Sequence, residues 1–224
     1  MKNDELDPLR EHAAGYGIEL SEQQLGQMGS YLNELVLWNR HVNLTGVGTS
    51  DRMVIELFLD SLMPAPHIPQ QGRVLDVGSG AGFPGLPLKI YCPEFDLDLL
   101  EAKSKKVSFL KHVIRVLELG STKVIKGRIE KGVEELHPDG YTIVTARALA
   151  PLFRTLEWCA PFLSSGGLMV CFVGAQVKQA LDESRLVMER QKIDLFKRIP
   201  YVLPGKTSER NVLIFRRKAA AIPA

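Results

Sequence analysis

The sequence predicts an α/β fold: a mainly parallel, seven-stranded sheet with a helical N-terminal extension. Residues 1–62 carry apolar side chains at helical spacing and no strand pattern. From residue 73 onward, short apolar runs alternate with amphipathic segments, which is typical of repeated β-α units around a parallel sheet. The first apolar run leads into a glycine-rich turn at residues 78–85. A turn of that kind, between a strand and a helix, holds a nucleotide-like ligand.

The composition is that of one sizeable α/β domain with an appendage. The chain has 224 residues, 45% of them hydrophobic, and a net charge of +2 that neither requires nor excludes nucleic acid. No apolar run approaches the roughly 20 residues of a membrane span, and residues 1–7 are too polar for a secretory signal. Three widely spaced cysteines predict buried thiols in a reducing cytosol, and no His/Cys cluster indicates a metal. We therefore expect a cytoplasmic monomer with no metal and no membrane partner.

The N-terminal extension is predicted to contain two main helices. Ser21 and Gln24 form a capping box ahead of a helix that should end near Arg40. A second helix is expected to start after Ser50-Asp51 and to run to Leu62, and three prolines then form a stiff connector to the first strand. These patterns divide the chain into a helical extension and connector at 1–70, an α/β domain at 71–218 and a frayed tail at 219–224.

The α/β domain is predicted to alternate between strands and helices. Strands are expected at residues 74–77, 95–101, 123–126, 141–145, 168–173, 192–202 and 211–217. Helices are expected at 84–91, in the segment that stops at Gly120, after Pro151, and at 175–189. Gly166 and Gly167 should turn the chain into the fifth strand.

The glycine turn admits three interpretations. Gly80, Gly82 and Gly85 fit the G-x-G-x-x-G fingerprint of dinucleotide binding, and a plain tight turn would use the glycines for geometry alone. The fuller pattern, D-x-G-x-G-x-G, puts Asp76 two residues before the first glycine and resembles the first motif of S-adenosylmethionine (SAM) dependent methyltransferases. A carboxylate there suits a cofactor that carries an ammonium and a sulfonium, and it repels a pyrophosphate. We therefore favour a SAM-dependent methyltransferase over an NAD-dependent oxidoreductase.

A second acid closes the second predicted strand. Glu101 follows the glycines by about 20 residues, where a carboxylate can accept hydrogen bonds from both ribose hydroxyls. NAD-binding folds use the same device. Glu101 therefore predicts a nucleotide-like cofactor without deciding which one.

Basic residues concentrate around the second and third predicted strands. They are Lys103, Lys105, Lys106, Lys111, Lys123, Lys126, Arg128 and Lys131. Each run by itself is typical of a solvated helix face. Because the runs should converge on one edge of a parallel sheet, together they favour a surface that contacts phosphates.

The motif around the glycine turn is longer than a general methyltransferase motif. Residues 82–88, Gly-Phe-Pro-Gly-Leu-Pro-Leu, closely resemble the glucose-inhibited division protein B family. Further blocks resemble the family in the same order, at residues 43–45, 59–62, 105–110, 127–130 and 146–150. The resemblance implies a SAM-dependent methyltransferase (Rossmann-like) fold with a closing antiparallel strand. It also implies an enzyme that methylates guanine N7 in small-subunit (16S) ribosomal RNA, as naked RNA or as an assembled ribosomal particle.

The resemblance further implies which residues form the site. Arg147, after the fourth predicted strand, would face the cofactor and the reactive centre as the catalytic residue. Together with Glu101, the implied cofactor-binding residues are Gly78, Phe83, Ile129, Glu130 and Arg147. The implied contacts with the substrate RNA are Asn43, Arg128 and Arg210.

Three positions depart from the family pattern. Leu57 replaces a usual histidine before the Leu-Asp-Ser-Leu block, Val173 replaces a common lysine, and Asn211 replaces a common histidine. Two of these changes remove a cation or potential cation from places expected to contact RNA. A methyltransferase of another substrate, and a non-catalytic ribosome-assembly factor on the same fold, therefore stay open as alternatives.

Overall fold

The computed structural model describes residues 3–219, and its N-terminal extension is helical, as predicted. A π-helical stretch, Val54–Leu59, joins the short helices Ser50–Met53 and Asp60–Leu62, so residues 50–62 form one continuous helical segment. The predicted capping box is present: the Ser21 hydroxyl accepts a hydrogen bond from the Gln24 amide, and the Gln24 side chain accepts one from Ser21. The helices are α1 (Asp7–Gly15), α2 (Glu22–Val42), α3 (Ser50–Met53) and α4 (Asp60–Leu62).

The sheet has seven strands in the order β3-β2-β1-β4-β5-β7-β6. Neighbouring strands from β3 to β5 pair in parallel, and β7 pairs antiparallel with both β5 and β6. This arrangement confirms the mainly parallel sheet with a closing antiparallel strand. The strands are β1 (Gly72–Val77), β2 (Phe95–Glu101), β3 (Thr122–Lys126), β4 (Tyr141–Arg147), β5 (Leu163–Val173), β6 (Ile193–Tyr201) and β7 (Arg210–Arg217).

Helices cover both faces of the sheet. Successive residues of each strand point to opposite faces, so a strand with a continuous apolar run has two apolar faces to bury. Val74 of β1 belongs to the apolar cluster on one face and the adjacent Leu75 belongs to the cluster on the other; both are fully buried. The first cluster is covered by the N-terminal extension with α5 (Gly85–Tyr91) and α6 (Ser104–Val116). The second is covered by α7 (Leu152–Cys159) and α8 (Val177–Gln191).

The N-terminal extension shares its apolar core with the sheet. Leu32 of α2 and Phe58 of the 50–62 segment are buried in the same cluster as Leu97 and Leu99 of β2. Burial of such side chains stabilises the fold by about 1.5–3 kcal/mol each. The extension is therefore held firmly beside the carboxyl ends of the central strands, where its polar residues can contribute to a site.

Two strand boundaries differ from the prediction. β4 continues to Arg147, two residues beyond the expected end, because Arg147 still pairs with Phe172 of β5. β5 begins at Leu163, so Gly166 and Gly167 lie inside the strand instead of before it. The register shifts between Tyr141 and Ile143 at this point, and an irregularity of that kind accommodates glycines within a strand.

Two expectations concern the periphery of the chain. The tail predicted at 219–224 lies outside the described residues except for Ala219. Within residues 3–219, no helix combines the length and apolar character that crossing a membrane requires.

Candidate cofactor and substrate site

The glycine turn leaves β1 at the carboxyl edge of the sheet and is anchored there by β2. The amides of Gly78 and Ser79 both donate to the Leu100 carbonyl, at 2.9 and 3.1 Å. Gly78 has a φ of +72°, which side chains disfavour. At Gly82, a Cβ atom would lie 2.6 Å from the Tyr31 hydroxyl oxygen, so only glycine allows the turn to pack this closely against α2. The turn therefore exposes bare backbone at Gly78 and packs tightly against α2 at Gly82.

Asp76 lies beneath the turn and is sealed from solvent. Its Oδ1 accepts a hydrogen bond from the Thr145 hydroxyl at 2.7 Å, and its Oδ2 accepts one from the Gly85 amide at 3.3 Å. The side chain is fully buried. The sequence argument that used this carboxylate as a partner for a cationic cofactor is therefore wrong. Asp76 instead joins β1 and β4 to the first residue of α5.

Burial raises the pKa of Asp76 from its usual 3.8 to about 6, although the hydrogen bonds from Thr145, Ser79 and Gly85 oppose the rise. Such a rise means that the folded protein binds the proton more tightly than the unfolded chain does. The stabilisation from this group is fully present below pH 4 and is lost as the pH rises through 6. It amounts to roughly 3 kcal/mol, at about 1.4 kcal/mol per pKa unit.

Asp76→Asn is expected to remove this pH dependence, since the amide resembles the neutral acid and does not ionise. The variant should gain stability relative to wild type between pH 4 and pH 7, by up to about 3 kcal/mol, and the difference should then level off. Urea unfolding of both proteins across this range measures the difference directly. A difference that stays constant with pH would contradict the raised pKa.

Glu101 ends β2 and holds the turn from the other side. Its Oε2 accepts from the Gly80 amide at 2.8 Å and its Oε1 accepts from the Lys103 amide at 2.7 Å. Only 6% of the residue is exposed, and it lines a cavity. A carboxylate has about four acceptor positions, so two remain for donors on a ligand.

The cavity, of about 260 Å³, opens at the carboxyl ends of β1, β2 and β3. This volume is close to the lower end of the range of ligand pockets, roughly 300 Å³. Gly78 and Glu101 provide one wall, and the side chains of Ile129, Leu149 and Trp158 provide an apolar wall. The remaining lining residues are Val77, Leu100, Ala102, Lys103, Gly127, Arg128 and Glu130.

Phe83 lies outside the cavity lining, in an aromatic cluster beneath the turn. Its ring stacks on Tyr31 with centroids 5.2 Å apart and meets Phe58 edge-on at 5.2 Å. The Tyr31 hydroxyl donates to the Ala81 carbonyl, and burial raises the pKa of Tyr31, which keeps this donor protonated. The guanidinium of Arg147 lies 5.3 Å from the Phe83 ring centroid. Phe83 thus connects the glycine turn to Arg147.

Arg147, the last residue of β4, is held by a buried acid that sequence reasoning missed. Asp60 of α4 is 1% exposed, and its Oδ2 accepts from Arg147 at 3.0 Å. Its Oδ1 accepts from Arg210 at 3.0 Å and from the Tyr201 hydroxyl at 2.7 Å. The sequence did offer one signal for Asp60: a charged residue within the apolar block Leu-Asp-Ser-Leu, where burial requires a partner. Arg147 and Arg210, assigned separately from the sequence, therefore meet at one carboxylate.

The other residues expected to contact RNA lie apart from this network. Arg128 is exposed, lines the cavity and pairs with Glu130 at 3.4 Å. Asn43 is exposed at the end of α2, where its left-handed φ of 51° terminates the helix. Four of the implied cofactor-binding residues line the cavity: Gly78, Glu101, Ile129 and Glu130.

Two of the three residues that depart from the family pattern, Asn211 and Leu57, are buried. Asn211 is fully buried, donates to the Gly174 carbonyl at 3.2 Å and accepts from Arg198 at 2.8 Å. Val173 is its cross-strand neighbour. Leu57 is 8% exposed, in the core. Asn211 and Leu57 are therefore interior residues in this structure.

Comparisons with known proteins agree with this architecture. A family model described as rRNA small subunit methyltransferase G matches residues 24–204. A Thermotoga neapolitana protein named ribosomal RNA small subunit methyltransferase G is 38% identical over 218 residues, 97% of this chain and 93% of that protein. A protein of the same name from Alkaliphilus metalliredigens is 37% identical over 180 residues, 79% of this chain and 75% of that protein.

A solved structure shares the fold at low identity. The crystal structure of M. jannaschii TYW2 in complex with AdoMet superposes with a TM-score of 0.56 at 14% identity, covering 70% of this chain and 73% of that one. At that identity the likeness shows the fold alone. The family match and the two relatives, by contrast, extend over most of the chain. The chain belongs to the rRNA small subunit methyltransferase G family.

Proposed function

We propose that the protein uses SAM to methylate guanine N7 in small-subunit ribosomal RNA. The observation that carries this proposal is the cavity at the carboxyl ends of β1 to β3, with the bare glycine turn and Glu101 on one side and Ile129 on the other. Ligands of α/β sheets bind at this edge. Membership in the rRNA small subunit methyltransferase G family supports the ribosomal substrate, and the motif resemblance supports guanine N7.

The residues of the cavity fit SAM. The apolar wall of Ile129, Leu149 and Trp158 suits a purine face, and the free acceptor positions of Glu101 suit ribose hydroxyls. Glu130 at the rim suits the adenine amino group. When bound, SAM supplies a methyl group carried on a positively charged sulfonium.

Methyl transfer to guanine N7 requires little acid–base catalysis from the protein. Guanine N7 has a lone pair and no proton, so no general base is needed before attack. The chain's contribution is then to align the reacting atoms and to adapt the local charge. Arg147 carries a guanidinium, which offers only donors and a positive charge, and therefore acts through hydrogen bonds and charge. The target guanine has to leave its stack, which costs least in a loop or a flexible junction.

Glu101→Ala is expected to weaken the binding of SAM and of S-adenosylhomocysteine alike, by about 1.5–3 kcal/mol, for the lost hydrogen bonds to a charged acceptor. Calorimetric titration measures both affinities. Glu94→Ala, which removes an exposed acid outside the cavity lining, is the matched control. A change of less than twofold in a folded Glu101→Ala variant would exclude Glu101 as the ribose acceptor.

The proposed function is tested by deleting the gene in its host and mapping N7-methylguanosine in small-subunit RNA. One modified guanine should disappear and return when the wild-type gene is restored. Purified protein should then transfer a labelled methyl group to naked small-subunit RNA or to small subunits from the deletion strain, and comparing the two identifies the substrate. An unchanged methylation pattern would favour another substrate or a non-catalytic assembly factor.

We propose further that the protein acts as a monomer in the cytoplasm, where ribosomal RNA is modified. The three cysteines, Cys92, Cys159 and Cys171, are buried free thiols, which is typical of a reducing compartment. Light scattering of the purified protein measures the oligomeric state. A stable dimer would contradict the proposal.

A further inference from the structure

Asp60 receives three donors from parts of the chain that are far apart in sequence. Arg147 donates to its Oδ2 at 3.0 Å, and the two residues are 87 positions apart. Arg210 donates to its Oδ1 at 3.0 Å across 150 positions, and Tyr201 donates to the same oxygen at 2.7 Å. A single carboxylate of the N-terminal extension therefore joins the ends of β4 and β6 and the start of β7.

The burial of this contact makes it firm. Asp60 is 1% exposed, whereas the side chains of Arg147 and Arg210 are 15% and 35% exposed. Burial and the adjacent Asp60 carboxylate raise the pKa of Tyr201, so its hydroxyl stays protonated and keeps donating. The carboxylate is thus fully enclosed by its donors, while the two guanidiniums reach the surface.

Each guanidinium donates a hydrogen bond to Asp60 through a single nitrogen, Nη1. Arg147 Nη1 also lies 3.4 Å from the Ser61 hydroxyl, and in the described part of the chain neither arginine side chain forms another hydrogen bond. Because a guanidinium carries five N–H donors, most donors of both side chains remain available to a ligand. Asp60 carries one charge against two guanidiniums, and the buried Asp76 carboxylate also acts electrostatically on Arg147.

Two further acids near this network are engaged by other basic side chains. Glu56, one turn before Asp60, pairs with Arg52 at 2.7 Å and with Lys206 at 2.8 Å. Glu56 thereby ties the loop between β6 and β7 to the 50–62 segment. Glu209, beside Arg210 in sequence, pairs with Arg198. Asp60 therefore sets the orientation of Arg210, and the loop that precedes Arg210 is fastened at a second point.

We propose that Asp60 is a positioning residue for methyl transfer, which holds Arg147 and Arg210 in one fixed orientation so that the two act together on the bound substrate. Two like-charged guanidiniums would separate without the shared carboxylate between them. The inference rests on the proposed function, in which Arg147 serves the reactive centre and Arg210 contacts RNA. It adds that the N-terminal extension supplies the group on which both arginines depend.

Asp60→Asn tests the proposal, because it removes the charge and keeps the size of the side chain. We expect kcat/KM for small subunits from the deletion strain to fall at least tenfold. Asp98→Asn is the matched control: Asp98 is 5% exposed, accepts from the Tyr141 hydroxyl and pairs with Lys123 at 3.3 Å, outside the site. The control should lose stability to a similar extent and keep the wild-type kcat/KM.

A double-mutant cycle separates positioning from a structural role. If Asp60 acts through the arginines, adding Asp60→Asn to an Arg147→Ala, Arg210→Ala background should change kcat/KM less than twofold. A structural role would lower kcat/KM by the same factor in both backgrounds, and that result would overturn the proposal. If Asp60→Asn does not fold, Arg210→Lys and Arg210→Ala decide. Lysine then restores less than a tenth of the lost kcat/KM if the fixed fork matters, and full restoration overturns the proposal.

The experiment also distinguishes this inference from the proposed function. If the wild-type protein methylates ribosomal RNA and the folded Asp60→Asn variant is equally active, the inference is overturned and the proposed function is not. A wild-type protein that transfers no methyl group to small subunits or to naked small-subunit RNA overturns the proposed function, and the inference with it.

Discussion

Gly78→Val is expected to abolish SAM binding, with a loss of affinity of more than a hundredfold, while the protein still folds. A Cβ atom at Gly78 would lie 2.9 Å from Leu149 Cδ1, and Leu149 itself lines the cavity. The β-branched side chain would therefore push Leu149 or itself into the space that the cofactor needs. Calorimetric titration with SAM measures the loss, and circular dichroism reports on the fold.

The matched control is Gly17→Val. Gly17 has a φ of +73°, against +72° at Gly78, and a Cβ there meets nothing within 4 Å. Both variants thus carry the same backbone strain, roughly 1–2 kcal/mol, and only one of them crowds the cavity. Unchanged SAM affinity in folded Gly78→Val would mean that the cofactor does not lie against this turn.

Arg147→Ala is expected to lower the single-turnover rate of methyl transfer at least tenfold. Arg147 ends β4, packs over Phe83 and binds Asp60 through one guanidinium nitrogen. The variant leaves Asp60 with Arg210 and Tyr201 as partners, so the free energy of unfolding should fall by only about 1–3 kcal/mol. The rate and the unfolding free energy are measured on the same preparations.

Arg147→Lys should recover little of the rate, because lysine keeps the charge and loses the planar fork of donors. Arg190→Ala, which removes an exposed arginine paired with Glu157 at the far end of α8, serves as the control and should transfer methyl at the wild-type rate. A wild-type rate in Arg147→Ala would make Arg147 a structural residue.

Local patterns carried most of the fold prediction. The helical extension, the seven strands and the closing antiparallel strand all appear close to their expected positions. The two shifted boundaries, at Arg147 and Leu163, lie where pairing with a neighbouring strand extends a segment beyond its own periodic pattern. Strand pairing is a property of two segments, so no single segment predicts it.

The site was predictable only in part. Gly78, Glu101, Ile129 and Glu130 meet at the cavity because turns at the carboxyl edge of a parallel sheet converge whatever the packing elsewhere. The motif position of Asp76 predicts contact with a ligand, yet its buried carboxylate accepts hydrogen bonds from the Thr145 hydroxyl and the Gly85 amide. The sequence spacing does not reveal on which side of the turn a carboxylate points.

The fold class and the edge of the sheet that carries the candidate site follow from the sequence alone, because hydrophobic period and turn chemistry are local properties of the chain. The motif resemblance added the family. The contact of Asp60 with both Arg147 and Arg210, and the burial of Asn211, are visible only in the folded protein. Those contacts depend on how the N-terminal extension and β7 pack beside β4. A buried charge has no local sign of its partner, since the partner is chosen by packing across the whole chain.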